Sequence, residues 1–289
     1  MNGNLIILAG GISSRMKRPG AATIDAKLTQ DADVKAKSMI GVGGGYRPFL
    51  DYLLYEAREA GYRDIVIVVG ERDHSIREYY GEADSGNAFH ELSISYAIQW
   101  IPEGRSKPLG TADALLQGLK ARRDWAGKKF TVCNSDNLYT RRALRLILES
   151  PSECSMIDYD RAALEFEPER IEQFAVIATD ARGAVVDILE KPSAREIERL
   201  RDGRGRVGVS MNIFAFAYDR ILPFLDRVQP HPVRQEKEIP TAVKMLISAF
   251  PGILTAIPLA EHVPDLTNRS DIVRVQEYLL REYPSFTWT

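Results

Sequence analysis

The first strongly patterned segment is an apolar run, Asn4-Leu5-Ile6-Ile7-Leu8, that stops at Ala9-Gly10-Gly11. A short continuous apolar run bounded by small residues reads as a buried strand. Comparable strands are predicted at residues 64–70, 92–100 and 130–133, with helical spacing between them. Residues 48–60 put Phe49, Leu50, Leu53, Leu54 and Ala57 on one helical face and end at Gly61, and residues 111–121 do the same with Ala114, Leu115 and Leu119. A short helix is expected at 74–80, and another runs through Leu148. Strands alternating with helices predict a Rossmann-like, doubly wound α/β sheet.

Beyond residue 150 the pattern changes. Residues 174–179 and 184–189 flank Asp180-Ala181-Arg182-Gly183, a hairpin signal. A strand at 207–217, helices at 220–228 and 236–249, a late strand at 254–258 and a closing helix at 270–283 follow. No repeat, low-complexity tract or linker divides the chain. We therefore expect one domain whose halves, 1–150 and 151–289, pack on the same sheet. The polar stretch 16–37, rich in Lys, Asp and Ala, is too long for a simple connection. It suits a mobile lid over a site and an inert insertion equally.

Composition narrows the function classes. The 289 residues are 45% hydrophobic and 27% charged, as in soluble globular proteins. A formal net charge of −2 gives no reason to expect nucleic acid or an anionic membrane as partner, so a phosphate ligand would need local cations. No apolar stretch approaches the roughly 18 residues that span a bilayer, and the N-terminal run leads into Gly-Gly, which makes the cytoplasm the default location. Cys133 and Cys154 have no metal-site spacing and are expected to be reduced and buried. A monomer and a small homo-oligomer both remain open.

The candidate chemistry sits at strand ends, where parallel α/β sheets bind ligands. The turn Ala9-Gly10-Gly11, followed by Arg15, can seat phosphates on free backbone N–H groups, or can be a plain turn with a surface arginine. Neither G-x-x-x-x-G-K-S/T nor a full G-x-G-x-x-G is present, which argues against a P-loop ATPase or an ordinary dinucleotide fold. Asp136, directly after an apolar strand, is either an Asx turn or a carboxylate ligand for Mg²⁺. Asp265 lies on a loop ahead of the last helix and Asp271 at its start. Two carboxylates about 4 Å apart repel by roughly 4 kcal/mol at an effective dielectric of about 20, so such a pair calls for a dication or a proton. Glu190-Lys191-Pro192 at a strand exit could hold sugar hydroxyls and a phosphate. Gln99 offers a base edge both a donor and an acceptor, and Gly110-Thr111 lets a flat base approach the backbone or simply caps a helix. The four histidines, His74, His90, His231 and His262, fall outside these motifs.

In this order the pieces resemble the sugar-1-phosphate nucleotidyltransferases. That family shows L-A-G-G-x-x-S/T-R-L/M, then P-K-x-L/M-x-P-V-x-x-x-P, then Q and G-T-A, an acidic residue after a strand, E-K-P, N-x-G-I/L-Y-x-F/L and a late D-I/V-x-T-P-x-D. Here they fall at 8–16, 37–48, Gln99 with 110–112, Asp136, 190–192, 212–216 and 265–271. The resemblance implies a GT-A-like fold with a sugar-binding second half, and a cytoplasmic, Mg²⁺-dependent enzyme that joins a nucleoside triphosphate to a sugar 1-phosphate. It places Arg15, Lys37 and Asp136 in catalysis. Leu8, Ala9, Gly10, Gly11, Gln99, Gly110 and Thr111 fall at the nucleotide, Glu190, Lys191 and Asn212 at the sugar phosphate, and Asp136 with Asp265 at the metal. Ala36 replaces the usual proline, residues 17–36 are a longer insertion, Met211-Asn212-Ile213-Phe214 lacks the glycine after asparagine, and the late motif lacks its proline. A nucleotidyltransferase for another phosphorylated acceptor, or a non-catalytic subunit of the same fold, are the alternatives.

Overall fold

The computed structural model describes residues 3–17 and 25–288. Eleven strands form one mixed sheet: β1 (Gly3–Ala9), β2 (Tyr62–Gly70), β3 (Asn87–Phe89), β4 (Leu92–Gln99), β5 (Lys129–Asn134), β6 (Cys154–Asp160), β7 (Val176–Thr179), β8 (Val185–Leu189), β9 (Gly208–Val209), β10 (Phe214–Ala217) and β11 (Leu254–Leu259). Their order is β3-β4-β2-β1-β5-β10-β6-β9-β7-β8, with β11 paired to β6. The four strands β4, β2, β1 and β5 are mutually parallel. Their carboxyl ends therefore share one edge, which carries Gln99, Gly70, Gly10 and Asp136.

Helices cover both faces because the central strands are apolar on both. On one face Phe49–Ala60, Arg141–Glu149 and Arg269–Glu282 pack over Leu5, Ile7, Ile65 and Ile67. On the other Thr111–Ala121, Tyr218–Arg227 and Ile239–Ala249 pack over Ile6, Leu8, Val66 and Val68. The helix 49–60 ends at Gly61 as its spacing predicts. Both cysteines are free and buried, again as expected. No helix among the described residues is long and apolar enough to cross a membrane.

Three of the departures from the sequence reading concern whole segments. The expected strand at 207–217 is two short strands, β9 and β10, because Asn212 turns through φ +57° between them. Residues 154–160, Cys-Ser-Met-Ile-Asp-Tyr-Asp, form the buried strand β6, which mixed polarity concealed. The stretch 16–37 is not a bare loop: Ala26–Val34 is a helix, capped by Asp25, that buries Leu28 and Ala32, and Asp33 is paired to Arg269. Residues 18–24 of that stretch lie outside the described residues.

Candidate active site

Three cavities open beyond the carboxyl ends of β1, β2, β4 and β5, and two of them share Asp136. The first, about 330 Å³, is lined by Leu8 through Arg15, by Lys37 and Gln99, by Gly110 and Thr111, and by Asp136. The second, about 890 Å³, contains Asp136, Glu190, Lys191, Asn212 and Asp265. Arg15, Thr111, Asn134 and Asp136 line both, so the two spaces meet at the end of β5. The residues that the resemblance assigns to catalysis, nucleotide, sugar phosphate and metal thus line two adjoining cavities.

The glycine turn follows β1 directly, leaving Gly11 exposed with open space where a side chain would be. Gly10 is different: a Cβ there would come within 2.7 Å of Gln99 Oε1. Gln99 is only 3% exposed, and its Nε2 donates to Gly110 O at 2.8 Å and to Asp113 Oδ2 at 2.9 Å. The sequence reading gave this side chain both a free donor and a free acceptor; the structure corrects that, since both amide hydrogens are taken within the protein. Gly110 turns at φ +106° with a prospective Cβ 2.6 Å from Lys237 O, a close approach that only glycine accommodates. The backbone there pairs with residue 237 on both sides, Ala112 N donating to Lys237 O at 2.9 Å and Lys237 N to Leu109 O at 2.5 Å.

Asp136 and Asp265 arrive on adjacent backbones. Asn137 and Asp265 form an antiparallel bridge, and Leu266 N donates to Asp136 O at 2.8 Å. Each carboxylate has a cationic partner: Lys37 Nζ lies 2.5 Å from Asp136 Oδ2, and Arg170 Nη2 lies 2.7 Å from Asp265 Oδ2. Burial raises the Asp265 carboxyl above its ordinary range and the Asp136 charge raises it further, against the opposing pull of Arg170. Two carboxylates that feel each other in this way are a donor set suited to a hard dication, which takes oxygen ligands and completes its shell with water and substrate phosphates. No group of three or more His, Cys, Asp or Glu side chains able to hold a metal occurs among the described residues.

Lys191 (φ +47°) and Asn212 (φ +57°) are both in the left-handed region and both line the larger cavity. Such backbone is unusual for residues other than glycine and concentrates at working sites. Tyr139 donates to Met211 O at 2.7 Å and holds the second of these turns. Glu190 Oε2 accepts from Arg234 at 2.5 Å, and Arg234 also reaches Glu238 at 2.8 Å. Burial, then the charge of Glu190, raises the Glu238 carboxyl.

Arg170, Arg234, Lys107, Glu236 and Glu238 are cleft residues that the sequence reading missed. Lys107 lies 2.6 Å from Glu236, and both line the smaller cavity. Residues 236–238 were assigned to a helix that in fact begins at Ile239. Pro240, which favours the first turn of a helix, is the signal that could have put the charged run 234–238 outside it. Arg170 sits on a four-residue helical turn, Pro168–Ile171, with no comparable mark.

The profile of the nucleotidyl transferase family matches residues 5–249. Among characterised relatives, a glucose-1-phosphate adenylyltransferase of Pectobacterium carotovorum is 24% identical over 229 residues, covering 76% of this chain and 48% of that protein. The chain spans about half the length of the curated relatives it matches. Among solved structures, UTP-bound UGPase from Acinetobacter baumannii superposes with TM-score 0.71 at 16% identity, over 99% of this chain and 95% of that one. A putative glucose-1-phosphate thymidylyltransferase from Bacillus anthracis, in complex with a sucrose, gives 0.67 at 18% identity over 99% and 98%. The two likenesses establish the shared fold, and the family profile leads to the conclusion that the chain belongs to the nucleotidyl transferase family.

Proposed function

We propose that this chain transfers a nucleotidyl group from a nucleoside triphosphate to a sugar 1-phosphate, releasing pyrophosphate and an NDP-sugar. The observation that carries the reading is the junction of the two cavities: Arg15 and Asp136 border both, so a nucleotide in one and a phosphorylated sugar in the other would meet there. In the reaction a sugar-phosphate oxygen attacks the α-phosphorus in line, the new P–O bond forms as the bond to the β-phosphate oxygen breaks, and pyrophosphate leaves. The attacking phosphate is already ionised and needs no base.

The residues act chiefly by alignment and charge neutralisation. The glycine turn and Arg15 hold the triphosphate, and Lys37, fixed by Asp136, lies beside the reacting phosphates. Lys191 holds the sugar phosphate as a point charge, while Glu190 and Asn212 accept and donate to hydroxyls. Asp136 and Asp265 would hold Mg²⁺, which when bound supplies charge neutralisation at the transferred phosphoryl group. The charge balance supports that assignment. Across both cavities seven carboxylates (Asp136, Glu167, Glu190, Glu236, Glu238, Asp265, Asp271) already balance seven basic side chains (Arg15, Lys37, Lys107, Arg170, Lys191, Arg234, Arg274), so two further polyanions would need a dication. The same reading expects the enzyme in the cytoplasm.

Incubation of nucleoside triphosphates with sugar 1-phosphates and Mg²⁺, with pyrophosphate release as the readout, tests the proposal. A sugar-phosphate-dependent release that stops with EDTA is the expected result. Release with none of the pairs, from protein shown to be folded, overturns it.

A further inference from the structure

We propose that Arg269 is a positioning residue for Arg15 and Lys37, two cations of the smaller cavity, and that the inserted helix Ala26–Val34 serves as a brace between them rather than as a lid. The inference rests on the reaction proposed above and adds to it the group that sets its cations in place.

Arg269 stands where the related motif has proline, at the first position of the helix Arg269–Glu282. A proline there presets the backbone and does no more. Arginine reaches out: its Nε donates to Met16 O at 2.9 Å, and its Nη2 is paired with Asp33 Oδ1. Met16 follows Arg15 directly, and Asp33 lies one helical turn ahead of Lys37. One guanidinium therefore grips the chain just after the first cation and just before the second.

Both ends of this tie are firm. Next to Arg269, Asn268 N donates to Asp271 Oδ2 at 2.6 Å and Thr267 N to the same oxygen at 2.9 Å, so the arginine projects from a fixed helix start. Met16 is wholly buried, and among the described residues no other donor reaches its carbonyl. A buried carbonyl stripped of its partner costs more than an ordinary hydrogen bond is worth. Lys17 N donates to Ser13 O at 3.2 Å and closes the turn from which Arg15 projects, exposed and without an ion-pair partner among the described residues. On the other side, the helix buries Leu28 and Ala32, and its Asp31 accepts from Gly41 N at 3.2 Å and pairs with Lys35 at 2.8 Å. Lys37 is thus held from both directions by the helix that Arg269 anchors.

Ala36 shows what the brace replaces. It too stands where the motif has proline, and its backbone lies at φ −58° and ψ 144°, after Lys35 at φ −91° and ψ 162°. Those are values that a proline and the residue before it adopt. The covalent restraint is gone while the conformation stays, so contacts from outside the segment must select it.

The test is steady-state pyrophosphate release by the full chain, normalised to folded protein and run well below each variant's melting temperature, with each substrate varied at saturation of the other. Arg269→Met keeps the apolar stem and removes the donors. It should lower kcat/KM for the nucleotide about tenfold and leave KM for the sugar phosphate within about twofold. Adding Ala36→Pro to Arg269→Met should recover about threefold or more of that loss, because Lys35 is already extended and Ala36 N donates to no group among the described residues. A merely structural Arg269 would lower the melting temperature and leave both constants at wild-type values, which overturns the proposal, as does a matching rise in KM for the sugar phosphate. Absence of recovery with proline overturns the placement of Lys37 through the helix. Should Arg269→Met not fold, Asp33→Lys at a half-exposed position sets two cations against each other, and an unchanged kcat/KM for the nucleotide there overturns the tie, where a fall of about threefold or more supports it. A wild-type chain that releases pyrophosphate with no pair of substrates overturns the reaction itself, a result distinct from wild-type rates in the variants.

Discussion

Lys37 Nζ donates to Asp136 Oδ2 at 2.5 Å across 99 positions of sequence. The contact joins the segment after the glycine turn to the end of β5, and it holds the Lys37 ammonium against Asp136, which borders both cavities. Asp136→Ala should lower turnover about a hundredfold or more while the melting temperature stays within ~3 °C. Pyrophosphate release at a near wild-type rate would remove Asp136 from the mechanism.

Lys191→Ala should separate the two substrates. Its ammonium borders the larger cavity only, so KM for the sugar phosphate should rise about tenfold and KM for the nucleotide should hold, as expected on losing one charged hydrogen bond. A matching rise in both constants, measured by varying each substrate at saturation of the other, would place Lys191 elsewhere in the reaction.

Arg170 spans two carboxylates, with Nη1 2.5 Å from Asp271 Oδ1 and Nη2 2.7 Å from Asp265 Oδ2. Arg170→Met leaves both without their counter-charge and should cost about 3 kcal/mol in urea unfolding. Because a dication can take over at Asp265, Mg²⁺ should raise the unfolding midpoint of the variant more than that of the wild type. An equal Mg²⁺ effect on both would count against the metal assignment.

His262 sets an acid limit. Its Nδ1 accepts from Glu165 N at 3.0 Å, its ring lies 4.8 Å from that of Phe166, and burial pushes its pKa down to about 4. A histidine depressed in the folded state stays neutral while the unfolded chain takes up a proton. Stability should therefore be full above about pH 6.5 and fall by about 3 kcal/mol at most as the pH drops toward 4. His262→Phe should flatten that part of the stability profile, and a slope that persists unchanged in the variant would assign it to other groups.

The parallel core was legible because its strands are buried on both faces and read as uninterrupted apolar runs, from Leu5 to Leu8 and from Ile65 to Val69. Asp136 was legible because it follows a patterned strand, whereas Asp265, on the loop ahead of the last helix, was singled out through the late motif of the resemblance. Strand β6 was not, since Ser155 and Asp158 interrupt it and find their surroundings only in three dimensions. Nor were the counter-charges. Arg170 and Arg234 reach Asp265 and Glu190 across 95 and 44 residues, and no local pattern announces a pairing at that range. The committed amide of Gln99 was hidden for the same reason: its residue type is visible in sequence, but its partners Asp113 and Gly110 are not.

The position of β10 has a bearing on any attempt to cut the chain. Residues 214–217 lie antiparallel between β5 and β6, hydrogen-bonded to both. A fragment that stops near residue 150 would leave the backbone of β5 as a bare apolar margin, a template for pairing with other molecules. Such a truncation should precipitate rather than yield a working nucleotide-binding half, and a split version of the protein should recover only when both pieces are supplied together.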